Sequence, residues 1–188
     1  MYKTCHTEES SRRQRELERG LLEAMKVLPY EKITLTDLCR RLQIPRKSFY
    51  RYFPTKEDCL LALLDHTLSD CNSAALQGWD GSRSLARVDL LRFFTYWREH
   101  AVFLDAVRDN DLGYLLLDRT TVIVDRMKEN RQPEAFAREQ VEYFLAHGLM
   151  ASVLRWHHHG FQSTPEKMAE EFARVLQPKD VAITRLLL

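Results

Sequence analysis

Residues Thr34 to Lys56 read TLTDLCRRLQIPRKSFYRYFPTK. Thr34 is followed three residues later by Asp37, the spacing of a capping box, in which a side-chain oxygen and a carboxylate each satisfy an orphan N–H at a helix start. Leu35, Leu38 and Leu42 then recur at helical spacing while Arg40 and Arg41 fall on the wet side, which predicts a short amphipathic helix. Gln43-Ile44-Pro45 interrupts it, because the residue before a proline is driven out of the α region and proline is tolerated only in a helix's first turn. A second helix therefore begins at Pro45 or Arg46. Phe49 and Phe53, four apart, are spaced to pin it to a core. Thr55 and Asp58 repeat the capping spacing and place Lys56 in the first turn of a third helix, where a cation and free N–H groups both favour a phosphate.

Two short helices joined by a three-residue break, the second rich in basic and hydroxyl residues, have the layout of a helix-turn-helix. In that motif the first turn of the second helix meets base edges in the major groove. Arg46, Lys47 and Ser48 are accordingly the candidates for bases and the nearby backbone, and Thr34, Tyr50, Arg51, Tyr52 and Lys56 those for phosphates. The stretch resembles the DNA-binding domain of the TetR family of transcriptional regulators, whose pattern runs T-x-x-x-I-A-x-x-A-G-V-S-x-x-x-x-Y-x-x-F-x-x-K. Thr34, Leu38, Ile44, Tyr50, Phe53 and Lys56 stand at its marked positions, and the resemblance covers roughly residues 12 to 65. Two departures matter: Gln43 stands at the turn glycine and Pro45 at the N-capping serine. A left-handed Gln43 would carry strain of about 1 kcal/mol or more, and a lost serine cap about as much again, partly offset by proline's fixed φ.

The resemblance implies an all-α fold of about nine helices. Residues 1–54 would form a three-helix DNA-binding domain and residues 55–188 a helical ligand-binding and dimerisation domain, the two joined by a linker helix over 55–73. It also implies a homodimer on a near-palindromic operator and a small-molecule effector that releases the protein from DNA. The favoured function is thus a repressor. The alternatives are an activator, an effector-free regulator, or an interaction protein that kept the fold without DNA binding.

Composition agrees. The chain has 188 residues, 45% apolar and 29% charged, as in a soluble globular protein. The net charge of +1 is unevenly spread: residues 1–60 hold 13 Lys and Arg against 9 Asp and Glu, leaving 15 against 18 for the rest. The basic surplus lies with the helix-turn-helix. No apolar run approaches a membrane span and MYKTCHTEESSRR lacks a signal-peptide core, so a cytoplasmic protein without membrane association is expected. Cys5, Cys39, Cys59 and Cys71 show no C-x-x-C spacing and read as reduced, structural thiols.

The rest of the chain reads as helices. Leu17, Leu21, Ala24 and Leu28 predict one from about Ser11 to Leu28, ended by Pro29 and preceded by a loose segment over 1–10. Arg12, Arg13 and Arg15 form a solvated face or a phosphate-contacting arm. Further helices are expected near 84–98, 100–107, 111–129, 134–158 and 165–176, with polar breaks at 77–82, 109–111 and 130–133. Val141, Leu145, Gly148, Leu149, Ser152 and Val153 fill one broad face, and Met168 and Phe172 lie on a stripe of the last helix, which Thr164 and Pro165 start. These helices resemble the pair that TetR-like proteins pack against a second subunit.

Effector lining is expected from Phe93, Phe94, Trp97 and Phe103, with Tyr114, Tyr143, His147 and His66 nearby, and its lack of charge favours an apolar or aromatic effector. His157-His158-His159 cannot all face one ion and reads as a solvated cluster at a helix end, so no metal and no cofactor are expected, with a zinc-responsive regulator as the minor alternative. No motif supports catalysis, and an enzyme is not expected.

Overall fold

The computed structural model describes residues 2, 7–77, 86–128 and 136–176. Among them are nine α-helices and one 3-10 turn. They are α1 Glu8–Met25, the 3-10 turn Tyr30–Lys32, α2 Leu35–Arg41, α3 Arg46–Tyr50, α4 Lys56–Ala75, α5 Arg87–Glu99, α6 Ala101–Asp109, α7 Gly113–Lys128, α8 Phe136–His158 and α9 Pro165–Leu176. The all-α expectation holds. Much of the expected breaks at 77–82 and 130–133, and Cys5, lie outside the described residues.

The first helix starts earlier and stops earlier than its apolar stripe implied. Thr7 caps it in a reciprocal box with Ser10, and the chain leaves the helix at Lys26, so Val27 and Leu28 are exposed before Pro29 is reached. Nor is the amino-terminal segment loose at every point: the Tyr2 ring packs edge-on against Phe53 and His66. Its hydroxyl donates to Asp65 at 2.8 Å.

α1 to α3 form a small head around Leu21, Leu38, Phe49 and Phe53, none of which has solvent-exposed area. Gly20 permits the close approach of α1 to α2, since a Cβ there would lie 2.4 Å from the Leu42 Cδ2. α4 then runs from this head into the body, packing on α1 at one end and on α5 and α7 beyond it. Because it is enclosed on several sides, even its polar residues Asp58, Asp65 and Thr67 are buried.

Two contacts with buried carboxylates fasten α4. Asp65, with no exposed area, accepts from Arg119 of α7 at 2.6 and 2.8 Å and from Arg126 at 3.0 Å. Burial, and then the Asp65 charge, push the Tyr2 hydroxyl up to about 12. On the head side the buried Glu18 of α1 meets His66 Nδ1 at 2.8 Å.

In the body, α5 packs principally against α9, and α7 against α8. The Phe94 ring lies 5.1 Å from Phe172 and 5.7 Å from Trp156, edge-on to the latter. Thr164 accepts from the Lys167 N–H, so the expected start of α9 holds. The histidine cluster is only partly solvated. His158 and His159 are exposed, but His157 is buried beside Phe161 and lies 3.0 Å from Asp105. A charge partner on α6 draws the first histidine inward, an event that no local spacing announces.

Candidate nucleic-acid interface

α2 begins at Thr34, whose Oγ1 accepts the Asp37 N–H at 3.1 Å and donates to the Asp37 carboxylate at 2.5 Å. The expected capping box is therefore modified: Asp37 binds the threonine hydroxyl. That hydroxyl is the leading reason its carboxyl titrates below the usual range. Thr55 and Asp58 make the same pair of contacts at 3.0 Å each.

The turn between α2 and α3 explains how a glycine can be dispensed with. Gln43 sits at φ 53°, the left-handed region, while its N–H bonds to the Arg40 carbonyl and the Ile44 N–H to the Cys39 carbonyl. This is a Schellman closure, in which two of the last helix carbonyls are satisfied. The hydrogen bonds hold the strained glutamine, and strain of this kind costs about 1–2 kcal/mol. Pro45 is extended at φ −64°, ψ 144° and stands at the N-cap without a side-chain cap, as its ring requires.

α3 turns Phe49 inward and the turn that follows it sets Phe53 beside that ring, both fully buried. Arg46, Lys47, Ser48, Tyr50 and Arg51 are exposed, and Tyr52 is half-buried. Arg46 Nη2 donates to the Tyr50 hydroxyl at 3.1 Å, so these two side chains form one unit across a helical turn. Thr34 is exposed at the start of α2. The sequence-derived residues are thus accessible on and beside the helix-turn-helix, with a single exception.

The exception is Lys56. Its ammonium donates to the carbonyls of Tyr30 and Ile33, both at 2.9 Å, and lies 4.0 Å from the centre of the Tyr30 ring. The side chain clamps the 3-10 turn that leads into α2, in place of reaching outward as expected. Its attachment was hidden in the sequence because both carbonyls lie more than twenty residues upstream. The arginines of α1 are also committed: Arg12 and Arg13 to Glu16, and Arg15 to Asp70 of α4 at 2.8 and 2.9 Å. They form a paired face on the helix.

The expected effector lining is dispersed. Phe94, Trp97 and Phe103 are buried in the core and pack on one another or on their neighbours, with Phe93 half-buried against two of them. Tyr114 is 84% exposed. His66 is held by Glu18; Tyr143 donates to Asp125, and His147 contacts Thr121 at 3.1 Å. Large aromatics at helical spacing have here packed largely into core.

The expected subunit face separates likewise. Val153 is fully buried within the protomer, and Phe172 packs on Phe94 because α9 lies along α5. Met168, Leu145, Leu149 and Ser152 are half-buried. Val141, Phe144 and Gly148 face outward. Cys39, Cys59 and Cys71 are buried free thiols, and burial raises the pKa of each.

A helix-turn-helix whose second helix shows basic and hydroxyl groups to solvent, set on an all-helical body, has the layout of a DNA-binding head. Residues 22–63 match the family model described as bacterial regulatory proteins, tetR family. The chain carries the DNA-binding domain of that family, in the fold of a TetR-family regulator. Thirteen solved chains match it in structure. One, described as the dihydroxyacetone kinase operon activator DhaS, is 16% identical at a TM-score of 0.57, with 87% of this chain and 93% of that chain covered. No curated protein matches the chain. No helix among the described residues is long and apolar enough to cross a membrane.

Proposed function

We propose that the protein is a homodimeric, effector-responsive regulator that places α3 of each copy in the major groove of one operator half-site. The observation that carries this reading is the division of α3. Phe49 and Phe53 fix it to the head, leaving Arg46, Lys47, Ser48, Tyr50 and Arg51 exposed at the surface. Arg46, Lys47 and Ser48 supply donors for bases and nearby phosphates, and Thr34, Tyr50, Arg51 and Tyr52 for the flanking backbone. With the Lys56 side chain engaged, the contribution of that position to phosphate binding falls to the backbone N–H groups at the start of α4. The head spans 1–54, and the body 55–188 is reached through α4. The test is duplex binding against salt: a log–log slope that Lys47→Ala flattens by about one unit supports the reading, and binding without salt dependence would contradict it.

The second copy is assigned to the outward face of α8, where Val141, Phe144 and Gly148 follow one another at helical spacing. Phe144 is 67% exposed, and a Cβ added at Gly148 would meet nothing within 4 Å in the protomer. Gly148→Leu is therefore expected to leave the monomer's stability within about 1 kcal/mol while disrupting the dimer, as read by sedimentation velocity. An unchanged dimer would remove α8 from the interface.

For the sign of regulation, release from an operator by an effector gives a repressor. The alternative of an activator gains support from the fold neighbour described as an operon activator.

A further inference from the structure

Arg46 and Tyr50 face solvent a helical turn apart on α3, and their side chains touch. The Nη2 of Arg46 donates to the Tyr50 hydroxyl at 3.1 Å, and its guanidinium carbon lies 5.9 Å from the centre of the Tyr50 ring. That ring is itself anchored. It stands edge-on to Phe49 at 6.2 Å, and Phe49, packed 5.5 Å from Phe53, has no exposed area. A line of contacts therefore runs from the core of the head through Tyr50 to the tip of an exposed arginine. An untethered arginine carries a large rotamer entropy, and a planar fork held in place before docking loses less of it.

The kind of partner sets Arg46 apart from other arginines of the head. Arg12 and Arg13 are paired with Glu16, Arg15 with Asp70, and Arg40 with Asp37 at 2.9 Å. Among the described residues Arg46 meets no carboxylate; a neutral hydroxyl positions it and leaves its charge uncompensated. A guanidinium has five N–H donors in a fixed plane and no acceptor, so with one donor on Tyr50 a parallel pair remains. In the major groove only guanine presents two acceptors, O6 and N7. Adenine sets an amino donor beside N7, cytosine offers a donor, and thymine a single acceptor with a methyl group. A fork of donors alone is therefore complementary to guanine. The Tyr50 hydroxyl accepts from Arg46 and still has its own proton to give. A phosphate oxygen is the acceptor that the DNA backbone offers it.

We propose that Arg46, positioned by Tyr50, reads a guanine in each operator half-site through O6 and N7, and that Tyr50 ties this reading to a backbone phosphate. The inference rests on the assignment of α3 as the recognition helix and states what that helix reads. Arg46 makes the base contact, and Tyr50 is the positioning residue. With its hydroxyl on a phosphate, the fork is fixed at one height in the groove, so a slip of one base pair breaks both contacts together. Lys47, the next residue, carries a compact ammonium on a flexible stem, which discriminates among bases less sharply than a planar fork. The guanine facing Arg46 is therefore the most sharply specified base of the half-site.

The test substitutes single atoms of the DNA. The full chain is selected on a randomised duplex library, and the enriched site is titrated by fluorescence anisotropy with single guanines replaced by 7-deazaguanine, which lacks N7, or by inosine, which keeps N7 and O6. At one guanine of each half-site, 7-deazaguanine should weaken binding by the parent about tenfold and inosine less than about twofold. Arg46→Ala should lose the 7-deazaguanine effect. Tyr50→Phe keeps the ring on Phe49 but not the hydroxyl, and should cut the effect to about threefold or less; it removes no charge, so the salt slope stays parental. Arg51→Ala should flatten the slope by about one unit and keep the full effect. An enriched site whose guanines all tolerate 7-deazaguanine, or an effect that survives in Arg46→Ala or is undiminished in Tyr50→Phe, would overturn the proposal and leave operator recognition standing. Failure of any site to enrich would overturn both.

Discussion

Replacing Asp65 with alanine is expected to lower the unfolding free energy by about 3–5 kcal/mol, because among the described residues it is the carboxylate that balances the Arg119 and Arg126 guanidinium groups, the former largely buried. Asp65 has no exposed area, and it accepts two hydrogen bonds from Arg119, one from Arg126 and one from the Tyr2 hydroxyl. Breaking a buried pair from one side leaves the partner's charge desolvated and uncompensated, a cost larger than the net stabilisation of the intact pair. The same helix carries its own control. Asp70 also makes two hydrogen bonds to an arginine, Arg15, but its side chain is 51% exposed. Water replaces much of that interaction, and Asp70→Ala should cost no more than about 1 kcal/mol. Urea unfolding of both variants beside the parent would decide the matter. Equal losses would mean that burial does not govern how firmly α4 is held to α7.

The second large effect is expected at Lys56, and it separates the clamp from a phosphate contact. Lys56→Met keeps the length and hydrocarbon of the side chain but removes the donors to the Tyr30 and Ile33 carbonyls and the charge over the Tyr30 ring. Hydrogen bonds from a charged donor contribute about 1.5–3 kcal/mol, and a cation on an aromatic face about 0.5–2 kcal/mol. These interactions overlap, so a total loss of about 2–4 kcal/mol is expected. DNA binding should weaken as the start of α2 loosens, while the salt slope stays that of the parent because no phosphate partner has been removed. Lys47→Ala should show the opposite pattern, with little change in stability and a flatter slope. A Lys56→Met protein of parental stability with a slope flattened by one unit would show that the ammonium reaches the DNA backbone after all.

The local grammar of the head was legible in the sequence. The spacing of Leu35, Leu38 and Leu42, the break at Gln43-Ile44-Pro45 and the Phe49–Phe53 pair led to helices whose observed ends lie within a few residues of expectation. Such features depend on neighbours along the chain, and periodicity records them directly. Lys56 was misread because a lysine in the first turn of a helix looks the same whether it points to solvent or to a carbonyl from a distant turn. Asp65 and His66 were hidden for a related reason, since their partners Arg119 and Glu18 lie 54 and 48 residues away. A signal was present even so: leucines at 60, 61, 63, 64 and 68 occupy more than one face of α4, and a charged residue on a helix covered on several sides must find a partner. The aromatic residues of α5 were ambiguous for the converse reason. Phe94 and Trp97 satisfy core and pocket patterns equally well, and the packing of α9 on α5 decides for core.

Recognition of a two-fold operator by α3 is tested most directly by selecting the purified full-length protein on a randomised duplex library over several rounds. Competitor DNA and two salt concentrations would be included, and Lys47→Ala carried in parallel. The expected result is an enriched near-palindrome with half-sites about one helical turn apart, and a looser consensus for Lys47→Ala. Recovery of unenriched sequence at both salt concentrations would contradict operator recognition by this helix-turn-helix.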